Sequence, residues 1–301
     1  HVRENQDGTL YTLNYYVASA SSYDPIEKKP LYHFYPGSRI LSLGTYGCNM
    51  KCQGCQNYQI SREFPASVLE EANFSREEVL SQLPEHKNLN EMCGIAYTYT
   101  EPTVWIETTL DIAPSVQEKG FKNVMVTNGY ITEEPRKDIL DLTDAWNIDL
   151  KAYDDTFYRE YSGATLEPVL ETIAAVKESV HVELTTLIIP GRNDSDDHFI
   201  QLRDWIADTV GEDTPLHISR YFPTYKMTSP STPMETMEKA YDTLRERLSY
   251  VYMGNCGGEA DTVCPSCGAV VVKRSNYGTH GTGLAEDGTC SSCGRKIAVR
   301  G

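Results

Sequence analysis

The alternation of short apolar segments with helix-forming segments constrains this fold more than any other feature of the sequence. We predict strands at 39–46, 93–100, 123–127, 145–151, 181–189, 216–222 and 250–253, and helices at 75–85, 103–119, 135–142, 166–178, 195–210 and 232–248. Strands that alternate with helices build a parallel sheet. Six or seven such units predict an α/β fold, specifically a full or partial (β/α) barrel. No glycine-rich dinucleotide-binding loop follows a predicted strand, which argues against an open doubly wound sheet.

Local signals refine this outline. Ser75 starts a capping box, and Gly120 is expected to end the helix before it. Pro114 is expected to kink or break that same helix. Residues 11–17 alternate between polar and apolar and predict a strand, whereas 24–30 predict a turn or an extended segment.

Composition divides the chain into three parts: an N-terminal extension (1–38), the barrel (39–255) and a C-terminal module (256–301). A net charge of -16 argues against a nucleic-acid partner, although residues 253–301 carry five basic and four acidic side chains. No apolar run of about 18 residues and no signal-peptide pattern occurs, so we expect a cytoplasmic protein without a membrane partner. The chain begins at His1 rather than Met, so we expect residues upstream of it.

Nine cysteines form two clusters and two isolated positions, a distribution typical of metal binding in a reducing compartment. The first cluster is Cys48, Cys52 and Cys55, with three and then two residues between its members. Three thiolates on one short loop suit a cubane iron–sulfur cluster, which normally takes four thiolate ligands. One iron would then lack a cysteine, and an open metal position is the usual mark of a reactive site.

Polar residues stand at or near the predicted carboxyl ends of the strands, where (β/α) barrels carry their functional groups. These residues are Glu101, Asn128, Asp149, Lys151 and His217. The cysteine loop follows the first barrel strand. We therefore expect these side chains to share one face of the barrel with the loop.

The order of several motifs gives the chain a specific resemblance. The motifs lie at 48–57, 96–103, 126–129, 147–151, 185–191, 216–220 and 250–252. Together they resemble the AmmeMemoRadiSam-system radical SAM enzymes, which are related to the pyruvate formate-lyase activating enzymes. The resemblance covers nearly the whole chain.

The resemblance implies that Cys48, Cys52 and Cys55 hold a [4Fe-4S] cluster whose fourth iron is chelated by S-adenosylmethionine. One-electron reduction would cleave S-adenosylmethionine to a 5′-deoxyadenosyl radical, which abstracts hydrogen from a substrate. A low-potential donor of the ferredoxin or flavodoxin type would supply the electron. We expect burial, and few hydrogen bonds to the cluster sulfurs, to keep the potential low.

The resemblance also assigns cofactor contacts. Glu101 lies in the segment that lines the methionine amino group in relatives. Asn128, Asp149 and Lys151 correspond to positions near the carboxylate and ribose, and His217 is a further expected contact.

Two positions depart from the pattern of relatives. Val126 stands where activating enzymes have an acid that helps to bind a monovalent cation. Gly54 stands where the superfamily usually has an aromatic residue near adenine, so that contact must come from the backbone or from elsewhere.

The second cysteine cluster is Cys264, Cys267, Cys290 and Cys293, arranged as two Cys-x2-Cys-Gly knuckles with 22 residues between them. This spacing predicts a tetrahedral four-thiolate site, as in a zinc ribbon or a rubredoxin-like iron centre. Zinc would be structural, whereas iron would make the module an electron relay.

Several alternatives remain open at the level of sequence. The hydrogen donor could be a glycyl-radical partner protein, another protein or peptide, or a small molecule. The chain could instead be an iron–sulfur electron-transfer protein, with Cys93 or another side chain as the fourth ligand. A zinc-dependent scaffold without chemistry is the third reading.

Overall fold

The computed structural model describes residues 2–70, 72–258, 260–275 and 278–301. Its strands are β1 (Arg3–Gln6), β2 (Thr9–Thr12), β3 (Ala18–Pro25), β4 (Arg39–Thr45), β5 (Met92–Tyr97), β6 (Lys122–Thr127), β7 (Ala145–Asp149), β8 (His181–Ile188), β9 (Leu216–Arg220), β10 (Val251–Gly254), β11 (Thr262–Val263), β12 (Val270–Ser275) and β13 (Gly278–Thr282). Its α-helices are α1 (Tyr58–Ser61), α2 (Arg76–Ser81), α3 (Ile106–Glu118), α4 (Glu133–Leu140), α5 (Asp155–Phe157), α6 (Glu167–Val176), α7 (Asp196–Trp205) and α8 (Met234–Arg245).

The central sheet runs in the order β10-β9-β8-β7-β6-β5-β4-β3. Strands β4 to β10 are parallel to their neighbours, and β3 is antiparallel to β4. Within the described residues, β3 and β10 form the two edges and do not pair with each other. The predicted parallel α/β architecture is confirmed, and it takes the partial rather than the closed form of the barrel.

Each predicted barrel strand is present, and each predicted helix has a counterpart with different ends. The helix predicted from 75 ends at Ser81, because Pro84 disfavours helical geometry in the residue before it. Ser75 caps that helix as expected, since its hydroxyl accepts a hydrogen bond from the Glu78 N–H. Helix α3 continues through Pro114 rather than breaking there. Its buried face against the sheet, which includes Ile112 and Val116, keeps the two halves aligned.

The N-terminal segment differs from its prediction. The strand predicted at 11–17 is wrong, because β2 ends at Thr12 and Tyr16 takes a left-handed φ of 55°. Strand β3, which we did not predict, instead forms the edge beside β4. Its sequence of small and polar residues has low strand propensity, so pairing with β4 determines its conformation.

Residues 26–38, called the plug here, close the lower end of the barrel, where the parallel strands begin. Ile26, Leu31 and Phe34 of the plug pack against residues that lie early in the barrel strands, such as Ile40 and Ala145. The plug therefore supplies the core beneath the barrel interior.

The C-terminal module covers the plug from outside. Strands β11 to β13 form an antiparallel sheet. Cys264 and Ile297 of the module pack against Tyr250 and Tyr252 of the barrel. Arg274, which is 1% exposed, donates to the Tyr32 carbonyl of the plug. The module thus lies at the end of the barrel opposite the cysteine loop. No helix in the described ranges is both long and apolar enough to cross a membrane.

Candidate active site at the barrel mouth

A cavity of about 400 Å³ opens at the carboxyl ends of the strands. Seven of the eight residues expected there line it: Cys48, Cys52, Cys55, Glu101, Asn128, Asp149 and Lys151. The expectation that polar groups at the carboxyl ends of parallel strands lie together is therefore met for these seven residues. The eighth residue, His217, is not part of the lining.

Backbone contacts fix the cysteine loop in place. Gly47 adopts a φ of 101° just before Cys48, which a glycine tolerates without strain. The N–H of Lys51 donates to the Ser162 carbonyl at 2.7 Å, and the N–H of Gln53 donates to the Tyr161 carbonyl at 3.0 Å. The π-helical turn Tyr158–Ser162 after α5 thus supports the loop from below.

The three thiols point into the cavity without converging on one point. Burial raises the pKa of Cys48 to about 12 and also raises the pKa of Cys52, so metal binding must displace these protons. Among the described residues, the side chains whose metal-binding atoms all lie within 4.8 Å of one another are the four C-terminal cysteines, and the three loop cysteines do not form such a group. The loop thiols are therefore spread apart, as ligands of different irons in one cluster would be.

A polar side chain lies within hydrogen-bonding distance of each loop sulfur, in contrast to the few hydrogen bonds we expected. The Cys48 Sγ is 3.7 Å from the Asn128 Nδ2. The Cys52 Sγ is 3.7 Å from the Ser162 Oγ, and the Cys55 Sγ is 3.3 Å from the Ser61 Oγ. Neither serine had a signal in the sequence, because each reaches its sulfur only through the folding of the loop.

Glu101 is a buried carboxylate with three hydrogen-bond donors. Its Oε1 accepts from the Thr127 hydroxyl at 2.7 Å and from the Thr103 N–H at 3.1 Å, and its Oε2 accepts from the Asn128 N–H at 2.7 Å. Burial raises its pKa, although these donors act in the opposite direction. An ammonium group of a ligand would stabilise this carboxylate in its charged form.

Asp149 and Lys151 form an ion pair at the cavity wall, with 2.8 Å between Oδ2 and Nζ. Burial alone would lower the pKa of Lys151, but Asp149 and the Cys52 sulfur raise it well above its ordinary value. Asn128 donates to the Asn49 Oδ1 at 2.8 Å. These groups therefore offer fixed charges and amides between the loop and the third and fourth strands.

His217 lies beneath the cavity because it points into the barrel interior. Its Nε2 is 2.7 Å from the Glu183 Oε2, and its ring stacks on Tyr252 at 5.3 Å. Glu183 was missed at the level of sequence. A charged residue inside an apolar strand was the signal that could have indicated it.

Gly54 leaves space that aromatic rings from other segments occupy. A Cβ at this position would lie 3.1 Å from the Tyr161 hydroxyl and 3.6 Å from the Tyr221 ring. A larger residue would therefore collide with side chains already present. Tyr161 and Tyr221 line the cavity at this point.

Cys93 lies far from the cysteine loop. It is fully buried on β5, and its Sγ is 3.4 Å from the carbonyl of Arg39, the first residue of β4. The loop follows the other end of β4. Cys93 as a fourth cluster ligand is therefore incompatible with the structure.

The four C-terminal cysteines form a compact set, with all four sulfurs within 4.8 Å of one another. Two sulfur pairs lie 3.6 Å and 3.7 Å apart: Cys264 with Cys293, and Cys267 with Cys290. A tetrahedral ion with metal–sulfur bonds of about 2.3 Å requires sulfur separations of about 3.8 Å. The group therefore fits a single ion rather than a cluster.

Comparison with known proteins places these observations in context. The model of the radical SAM superfamily matches residues 42–206. An uncharacterised protein of Methanocaldococcus jannaschii is 42% identical over 304 residues, covering 99% of this chain and 89% of that protein. A second protein of that organism, provisionally named a glycyl-radical enzyme activating enzyme, is 28% identical over 164 residues, covering 52% of this chain and 59% of its own length. The structure of Streptococcus suis SuiB bound to S-adenosylmethionine superposes with a TM-score of 0.54 at 14% identity, covering 72% of this chain and 52% of SuiB.

Proposed function

The chain belongs to the radical SAM superfamily, and from this premise we propose that Cys48, Cys52 and Cys55 hold a [4Fe-4S] cluster whose fourth iron binds S-adenosylmethionine. The observation that carries the proposal is that these three thiols and Glu101 line the same cavity. When bound, the cluster and S-adenosylmethionine supply one-electron cleavage to a 5′-deoxyadenosyl radical. The separation of the loop sulfurs fits such a cluster better than a single ion.

The protein's own part is to bind and orient the amino-acid end of S-adenosylmethionine. Glu101 receives the ammonium group, because it is a buried carboxylate with no cationic partner among the described side chains. Asn128 lies beside both Cys48 and Glu101 and so bridges the cluster and this carboxylate. Lys151 is held in place by Asp149 and provides a fixed positive charge for the carboxylate group of S-adenosylmethionine.

Tyr161 and Tyr221 provide the aromatic surface that Gly54 does not. The Tyr161 hydroxyl and the Tyr221 ring border the place where a side chain at position 54 would project. We assign them the contact with adenine, since aromatic rings stack well on flat nitrogen heterocycles.

A substrate must supply the hydrogen, and a low-potential donor of the ferredoxin or flavodoxin type must supply the electron. The activating-enzyme name of one relative supports a glycyl residue of a partner protein as the hydrogen donor. A small molecule is the second class. A glycyl donor would leave a radical on the partner's backbone, which electron paramagnetic resonance detects.

The test is S-adenosylmethionine cleavage by the anaerobically reconstituted, reduced full chain. We expect 5′-deoxyadenosine and a change in the cluster spectrum on addition of S-adenosylmethionine. Cys55→Ala should abolish both, whereas Cys256→Ala, outside the cavity lining, should retain both. A wild-type preparation with intact cluster that yields neither signal would refute the radical function and favour an electron-transfer protein.

For the C-terminal site we propose a structural zinc ion. The module packs against Tyr250 and Tyr252 at the lower end of the barrel, away from the cysteine loop. Such a position suits an ion that stabilises a small module better than one that passes electrons to the cluster. Metal analysis of the purified chain checks this, and iron with a rubredoxin-like absorption would contradict it.

A further inference from the structure

Two lysines of the plug reach the cavity and share one carboxylate. Lys28 and Lys29 both line the cavity. The Nζ of Lys28 is 3.3 Å from the Asp24 Oδ1, and the Nζ of Lys29 is 2.8 Å from the Asp24 Oδ2. We call these three residues the lysine floor. One carboxylate facing two ammonium groups leaves a local net positive charge in a chain whose overall charge is -16.

Asp24 has little capacity to neutralise more charge. Its Oδ2 also accepts hydrogen bonds from the Tyr99 hydroxyl at 2.9 Å and from the Ser22 hydroxyl at 3.0 Å. Burial would raise its pKa, but Lys29 and these hydroxyls hold that pKa well below its usual range. Asp24 is therefore charged at neutral pH and already surrounded by donors.

Lys29 retains unused donor capacity. Its side chain is 4% exposed, and an ammonium group carries three N–H donors. Within the described ranges, the acceptor that the structure gives it is Asp24, while its Nζ lies 4.6 Å above the ring of Tyr99. A buried ammonium with spare N–H groups is costly unless a ligand satisfies it.

The lysine floor lies well below the level of the cysteine loop. Asp24 pairs with Ile40, the second residue of β4, whereas the loop follows Thr45 at the end of that strand. The Asp24 carboxylate reaches up to Ser22, which pairs with Ser42, so about three residues at roughly 3.3 Å each, or about 10 Å, separate it from Thr45. The floor is thus distinct from Glu101, whose hydrogen-bond partners among the described residues include none of the floor's three residues.

Tyr99 forms the wall between the two levels. It takes a left-handed φ of 67°, which is rare for a bulky residue and clusters at functional sites. Its ring lies so close to Gly44 that a Cβ there would approach the Cδ2 of Tyr99 to 2.9 Å. The ring thereby directs its hydroxyl down to Asp24 and leaves the lysines facing the cavity.

We propose that the lysine floor binds a carboxylate or phosphate group of the hydrogen-donating substrate, so that the substrate carries an anionic group. The assignment rests on the proposed radical function, because it concerns the substrate of the same cavity. Charge-assisted bonds from Lys28 and Lys29 would hold the anionic group at the floor. The rest of the substrate would then extend upward toward the cofactor end.

The experiment measures anion binding to the reconstituted full chain saturated with S-adenosylmethionine, so that the cofactor's own carboxylate site is filled. The readout is the rise in unfolding temperature with malonate or inorganic phosphate, against malonamide and sodium chloride at matched ionic strength. We expect a rise with malonate, phosphate or both, and none with malonamide. A response to one anion alone identifies a carboxylate or a phosphate as the group recognised.

Lys28→Gln is the informative variant, because Lys28 is 49% exposed and its loss leaves the buried pair of Asp24 and Lys29 intact. We expect about tenfold weaker anion binding, the loss typical of one charge-assisted hydrogen bond. Lys137→Gln, which removes a surface ion pair with Glu133, is the matched control and should bind like the wild type.

The floor assignment is overturned if neither anion stabilises the wild type beyond chloride, or if Lys28→Gln binds anions as tightly as the wild type. Production of 5′-deoxyadenosine by the same wild-type preparation distinguishes failure of the floor assignment from failure of the radical function. Cleavage without anion binding refutes the floor alone. An intact cluster without cleavage refutes the radical function.

Discussion

Replacing Glu183 with glutamine tests whether one buried carboxylate holds the plug beneath the barrel. Glu183 is fully buried, and each of its oxygens has two donors. Its Oε1 contacts the His33 N–H at 2.7 Å and the His181 Nε2 at 2.9 Å. Its Oε2 contacts the Tyr32 N–H at 2.9 Å and the His217 Nε2 at 2.7 Å. Two of these donors belong to the backbone of the plug.

The expected loss of stability follows from the number of hydrogen bonds that a glutamine amide can accept in place of the carboxylate. Glutamine keeps the volume of Glu183 but replaces one oxygen with an NH2 group, which then faces two donors. A histidine can change tautomer and accept, whereas a backbone N–H cannot. One unsatisfied buried N–H costs about 1–3 kcal/mol, and the lost charge-assisted bonds cost a similar amount each. We expect a loss of about 3–6 kcal/mol, a large part of the roughly 5–15 kcal/mol of a typical domain.

The assay is urea unfolding followed by circular dichroism. Glu178→Gln, at a side chain 78% exposed, is the control and should change the free energy of unfolding by less than about 0.5 kcal/mol. A loss below about 1 kcal/mol for Glu183→Gln would refute the reasoning, since the plug would then be held by its apolar contacts alone.

The same carboxylate should give a pH dependence. Burial would raise the pKa of Glu183, but the two histidines lower it well below its ordinary value. A depressed pKa means that the stabilisation is fully present above the unfolded value of about 4.3 and is lost as the pH falls through the folded value. Glu183→Gln should therefore lose less stability than the wild type on acidification below about pH 4.

Three further predictions concern the site and its supports. Glu101→Gln should weaken S-adenosylmethionine binding about tenfold in titration calorimetry, because a neutral amide in this buried position cannot pair with the ammonium group. Ser61→Ala should lower the reduction potential of the cluster, because a hydrogen bond to a cluster sulfur raises that potential. A redox titration followed by electron paramagnetic resonance measures the change, and Ser67→Ala, at an exposed serine, should leave the potential unchanged. Gly94→Ala should prevent folding to a soluble product, because its Cβ would lie 1.9 Å from the Lys122 carbonyl oxygen of the next strand.

Periodicity and strand ends were sufficient to predict most of the residues that were expected to share the cavity. The parallel strands were found because each is apolar and separated by a helix from the next. The site residues were found because carboxyl ends of parallel strands meet at one face. Glu101 and Asn128 illustrate this, since they follow neighbouring strands and are hydrogen-bonded to each other.

The lower half of the barrel could not be predicted in this way, because it depends on long-range packing. Strand β3 has low strand propensity and acquires its conformation only beside β4. Lys28 and Lys29 belong to a segment that looks like a surface turn until the plug folds under the sheet. His217 obeys the period of its strand, but it lies too early in β9 to reach the mouth and meets Glu183 instead.

The C-terminal module and the cavity floor are linked by a short series of contacts. The module's Arg274 donates to the Tyr32 carbonyl, and its Thr279 donates to Glu27, next to Lys28 in the chain. Among the described strands the plug contributes none to the central sheet, so besides its apolar contacts it is held by Glu183 and the module. An ion that folds the module therefore also fixes the lower boundary of the cavity. A metal ion held by the four C-terminal thiolates would therefore act on the cavity from the opposite end of the barrel.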